Sequence, residues 1–129
     1  MTRHLTEATS AERVEFAECV EMLAFSLPYK VTPVQTVHLC WDDRMNTANG
    51  ILGSYSMLHP DRVCLAAHAR RMKEVLVPVL CHELHHHWQY HTFGLLYVLA
   101  CIPGIREFTI ERTADAVEDA AATALGISL

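Results

Sequence analysis

A chain of 129 residues, 51% of them hydrophobic, has the size of one domain, so 1–129 reads as a single unit able to remove roughly two thirds of its unfolded surface from water. A net charge of −5, with ten Lys and Arg scattered along the sequence, excludes a phosphate-reading surface and direct nucleic-acid binding. No apolar run reaches the about twenty residues of a transmembrane span, and the acidic, amphipathic first thirty residues lack the basic flank and apolar core of a signal peptide, so a cytoplasmic chain is expected.

Thr9-Ser10-Ala11-Glu12 is a capping-box sequence, and a helix should follow. Phe16, Val20, Leu23, Ala24 and Leu27 recur at helical spacing, while Glu12, Glu15, Glu18 and Glu21 fall on another side and read as a solvated face. Pro28 disfavours the helical conformation in the residue before it and ends the helix. Val34–Trp41 is rich in β-branched and apolar residues and is expected to form a strand. Asn49-Gly50 marks a turn, and Ile51–Met57 and Arg62–Ala67 are two further strands around the connection Leu58-His59-Pro60-Asp61. The expectation is a short three-stranded sheet. The five cysteines, Cys19, Cys40, Cys64, Cys81 and Cys101, are odd in number, contain no C-x-x-C pair and sit in apolar contexts, as reduced structural thiols do.

The chemistry concentrates in the next helix, expected to begin between Met72 and Val77 with Pro78 in its first turn, where a missing N–H is harmless. Its centre reads His82-Glu83-Leu84-His85-His86. At about 100° per residue His82 and His86 fall roughly 40° apart and one turn along, so both imidazoles can reach one metal ion with Glu83 beside them. This is the H-E-x-x-H arrangement: two histidines hold zinc, and the glutamate takes a proton from the water on the metal. Both sides of the helix are largely apolar, so these polar groups would be desolvated unless a metal satisfied them. His85, His87 and His91 are expected on the helix surface or supporting the ligands.

Catalytic zinc needs a third protein ligand. No histidine follows His91, and Gln89 and Thr92 stand where H-E-x-x-H-x-x-G-x-x-H would require glycine and histidine. A second amphipathic helix, from about Thr109 to Leu125 with Gly126 as its C-cap, opens Glu111-Arg112-Thr113-Ala114-Asp115. Glu111 can supply the third ligand, and Asp115 can accept the free N–H of a ligand histidine. Between the helices Phe93–Ile105 is apolar. It reads either as a buried connector helix or as a surface for homodimerisation or partner contact.

H-E-x-x-H followed by E-x-x-A-D on a later helix resembles the gluzincin zinc metallopeptidases, and in size the chain is similar to the single-domain minigluzincins. The resemblance covers about Ile51 to Ala124. It implies an α+β, zincin-like fold with an N-terminal helix, the short sheet, an active-site helix and a C-terminal glutamate helix. It further implies one Zn²⁺ on His82, His86 and Glu111, Glu83 as general base and acid in hydrolysis of peptide bonds, and Asp115 orienting a ligand. The strand ahead of the motif helix, Arg62, Val63, Cys64, Leu65, Ala66 and Ala67, would pair with an extended peptide or protein substrate. Tyr90, Tyr97, His91, Arg106 and Arg112 are the available oxyanion stabilisers. Two other function classes fit the same residues: a non-catalytic, zinc-stabilised module that holds a protein partner, and metal storage by the histidine cluster.

Overall fold

A computed structural model describes residues 4–45, 48 and 50–127. It is α+β, with four strands in one mixed sheet and four α-helices. Strand β1 (Leu5–Glu7) leads into α1 (Ser10–Leu23), β2 (His38–Asp42), β3 (Gly53–Tyr55), β4 (Arg62–Ala66), α2 (Lys73–Phe93), α3 (Leu95–Ala100) and α4 (Ile110–Leu125).

The capping box at the start of α1 forms as its sequence predicts: Thr9 Oγ1 accepts from the Glu12 backbone N–H, and Glu12 Oε1 accepts from that of Thr9. Phe16, Val20 and Leu23 are buried. The helix ends earlier than expected, giving way to a single 3-10 turn over Ala24–Ser26 that leaves Ala24 exposed. Glu12 also departs from the solvated row. It is buried, hydrogen-bonds Trp41 Nε1 at 3.1 Å and takes two bonds of 2.7 Å from the Arg70 guanidinium.

The sheet order is β1-β2-β4-β3. The fourth strand is β1, whose three residues carry no alternating pattern of their own and are ordered by antiparallel pairing with β2. The first half of the expected Val34–Trp41 strand is instead a 3-10 turn over Val34–Thr36. Strands β2 and β4 are parallel, with Cys40 opposite Cys64, and β3 pairs antiparallel with β4. Alternation sends Leu39, Trp41, Val63 and Leu65 into the core shared with the helices, and Cys40, Cys64 and Ala66 into a smaller apolar cluster with Met45. All five cysteines are free thiols. The Asn49-Gly50 turn lies partly outside the described residues, since Asn49 is not among them.

The topology relocates the strand assigned to substrate. Residues Arg62, Val63, Cys64, Leu65 and Ala66 form β4, whose backbone is already paired to β2 on one side and to β3 on the other, and Ala67 begins a 3-10 turn. An added strand needs unpaired N–H and C=O groups, and on this side of the sheet the edge is β3.

Helix α2 is the centre of the domain. Leu76, Val77, Leu80, Cys81 and Leu84 are buried, as are Glu83, His85, His86, His87 and Gln89. It starts at Lys73, so Pro78 is its sixth residue and lies beyond the first turn. The prolyl nitrogen therefore leaves the Glu74 carbonyl without an intrahelical donor, on an exposed residue where water can serve. Helix α4 lays Ala114, Val117, Ala121 and Ala122 inward, and these small side chains let it approach α2 closely. Gly126, at φ 71°, ends it in the left-handed conformation that favours glycine. The connector is not buried: of its larger residues Tyr97 is inside, while Phe93, Leu95, Leu96, Val98, Leu99, Ile102 and Ile105 are exposed. No helix among the described residues is long and apolar enough to cross a membrane.

Candidate metal centre

Helices α2 and α4 bring His82, His86 and Glu111 together. His82 Nε2 lies 3.2 Å from His86 Nε2 and 3.3 Å from Glu111 Oε1, and His86 Nε2 is in direct contact with the same carboxylate oxygen. For ligands about 2.0–2.1 Å from a tetrahedral zinc, donor atoms should stand about 3.3 Å apart. Two of the three separations therefore match ligands on one small cation, and the third, between His86 and Glu111, is a closer direct contact.

The hydrogen-bond network fixes which nitrogens are free. Gln89 donates its side-chain N–H₂ to the Ile110 carbonyl and to Thr113 Oγ1, which turns its oxygen toward His86 Nδ1 at 2.8 Å. His86 accordingly donates from Nδ1 to Gln89, which leaves Nε2 as the nitrogen that faces the Glu111 carboxylate. For His82, burial favours the neutral ring, but Glu111 and Glu118 outweigh it and raise its pKa to about 10, while the two histidines hold Glu111 far below the ordinary carboxylate range. The pocket thus selects positive charge. Two imidazoles and one carboxylate suit zinc in an open catalytic geometry, and they also suit non-haem iron(II).

Two supporting residues escaped the sequence reading. Gln89 is one, three residues past His86 on the same helix face. The other is Glu118, three residues past Asp115, whose Oε1 is 2.9 Å from His82 Nδ1, against 3.4 Å for Asp115. Glu118 lies off the axis of the ring N–H, so the contact is an ion pair more than a directed hydrogen bond. The spacing that singled out Asp115 points equally to Glu118; the rotation of α4 about its own axis decides between them.

Glu83 stands beside the triad without touching it through a hydrogen bond. Burial pushes its carboxyl up to about 7, partly offset by His82 and His86. It shares a cleft of about 450 Å³ with His82, His86, Glu111, Arg106 and the edge strand β3. Gly53 makes that approach of strand to helix feasible: a Cβ there would come within 2.6 Å of Val79 Cγ1 and 3.3 Å of Glu83 Cγ. Among the five candidates for oxyanion stabiliser, Arg106 lines this cleft, with Nε 3.5 Å from Glu111 Oε2, whereas Tyr97 lines a separate apolar cavity with Trp88 and Phe93.

His85 and His87 are not surface residues. His85 donates from Nδ1 to the Lys30 carbonyl at 2.6 Å and meets Thr113 Oγ1 at 2.9 Å, while His87 Nδ1 meets Thr32 Oγ1 at 2.8 Å. They hold the segment after α1, and for His85 also α4, against α2. Burial lowers the pKa of both, that of His87 to about 4. The chain matches no family model, no curated protein and no solved structure.

Proposed function

We propose that the chain is a zinc-dependent hydrolase of peptide bonds. The observation that carries this reading is the placement of a buried Glu83 next to two imidazoles and a carboxylate converging from a second helix, all facing one cleft. A structural metal site has no use for such a carboxyl. His82, His86 and Glu111 would hold one Zn²⁺, which when bound supplies Lewis acidity to a water and to the substrate carbonyl. Glu83, with its pKa near neutrality, takes the proton from the attacking water and returns it to the departing amine. Arg106 stabilises negative charge developing on the carbonyl oxygen. Glu118 and Asp115 orient His82, and Gln89 orients His86. The free edge of β3, rather than β4, pairs with an extended peptide or protein substrate.

The exposed apolar surface of α3 and its flanks favours a second reading, a zinc-stabilised module that holds a protein partner or a second copy of the chain. One experiment separates the two: a metal count and digestion of an unbiased peptide pool, on the parent and on Glu83→Gln. Zinc in both proteins with cleavage by the parent alone supports the hydrolase. Zinc in both with no cleavage by either overturns it in favour of the binding module.

A further inference from the structure

Helix α2 carries a second pair of histidines at the metal-binding spacing. His87 lies about 140° round the helix from His82, and His91 follows it by one turn. Their rings are 4.1 Å apart between centroids. His87 is only 6% exposed. With Nδ1 engaged by the Thr32 hydroxyl, its Nε2 is buried without any hydrogen-bond partner. An orphaned ring nitrogen in that position is costly and calls for a ligand. The Thr32 hydroxyl can accept the Nδ1 proton, which leaves Nε2 as a lone pair.

The third donor comes from the turn between β3 and β4. Asp61 Oδ1 is 3.5 Å from His91 Nε2, and donor atoms of Asp61, His87 and His91 lie within 4.8 Å of one another. This is wider than the first triad. The side chains of His91 and Asp61 are 41% and 78% exposed, however, and free to close on an ion, while His87 is the fixed anchor. His91 Nε2 also meets the Pro60 carbonyl oxygen at 3.0 Å, so that oxygen is placed as a further donor once the ring nitrogen turns to a metal.

We propose that His87, His91 and Asp61 form a second metal site, taking one borderline divalent transition ion of the zinc, nickel and copper series, to which imidazole and carboxylate are suited. The ion would tie the β3–β4 turn to α2. The Tyr55 hydroxyl already donates to the Pro60 carbonyl at 2.9 Å, so fixing this turn also fixes the last residue of β3. The site owes nothing to the chemistry at the first centre.

The test is a Zn²⁺ count by titration of the full chain, stripped of metal, beside His91→Ala. Because His91 is partly exposed, the variant should melt at the parent's temperature in the presence of chelator. The expected result is one ion fewer per chain in the variant, whatever the first centre holds. Amide exchange over residues 58–62 should also slow on adding Zn²⁺ to the parent and stay unchanged in the variant. Equal counts in the two proteins overturn the proposal, because any second ion then sits elsewhere, as on His82, Asp115 and Glu118.

Discussion

His86 and Gln89 are joined side chain to side chain at 2.8 Å, and this one bond sets which nitrogen of His86 points at Glu111. Gln89→Leu keeps approximate volume but frees the ring to flip or to change tautomer. Zinc affinity should fall by about 10- to 100-fold, the usual effect of removing a group that orients a ligand. Competition with a chelator of known affinity measures it, and an unchanged affinity would show that packing alone orients His86.

On the proposed ligand set, Glu111→Ala should cost both metal and thermal stability, since it would remove the α4 ligand to an ion that α2 also holds. At zinc one hundred times above the dissociation constant, binding stabilises the parent by about 2.7 kcal/mol. The variant should lose most of that increment, so its melting temperature should barely respond to added zinc. Full zinc content with a parent-like shift would remove Glu111 from the ligand set.

Gly53 has room for nothing larger. Gly53→Ala drives a methyl into Val79 and toward Glu83, and overpacking of this kind costs about 1–3 kcal/mol. Shortening the obstructing side chain should restore what is lost, so Gly53→Ala with Val79→Ala should be more stable than Gly53→Ala alone. Chemical denaturation of the three proteins checks this. If the double variant is the least stable, the strand is held off the helix by something other than Val79.

Acid should weaken the fold through Glu12. The hydrogen bonds from Arg70, with smaller help from Thr9 and Trp41, outweigh burial and hold its carboxyl at about 2, below the ordinary 4.5. A carboxyl lowered in the folded state contributes its full stabilisation above about pH 4.5 and loses it as pH falls toward 2. Allowing for the partly exposed Arg70, the contribution is about 2 kcal/mol. Glu12→Gln should therefore be less stable than the parent at pH 6 and should approach it between pH 4.5 and 2. Urea melts across that range give the comparison.

Local chemistry was legible in the sequence, and relations between distant segments were not. Thr9 and Glu12 define a cap within four residues, so the start of α1 needs no tertiary information. His82, Glu83 and His86 share a face by helical geometry alone, and Glu111 opens the later helix that meets them. Strand order behaves differently. The parallel pairing of β2 with β4 places β3 at the edge, and nothing in the composition of Arg62–Ala66 distinguishes a central strand from an edge strand. Strand β1 exists only through its partner. Glu118 and Asp115 lie three residues apart on α4, so their ranking depends on how the alanine face of that helix seats against α2. The exposure of the connector was the other unreadable feature, because hydrophobicity does not state which surface is available to cover a segment.

His86 and Glu111 are 25 residues apart along the chain, and an ion held by both would close that length into a ring. By the relation used for disulfides, a loop of this size removes about 3.5 kcal/mol of conformational freedom from the unfolded chain. The ring encloses α3 and nearly all of the apolar side chains left uncovered around it. On the proposed ligand set, metal occupancy would therefore favour the fold by restricting the unfolded chain, and the segment restricted is the one that carries the exposed apolar surface.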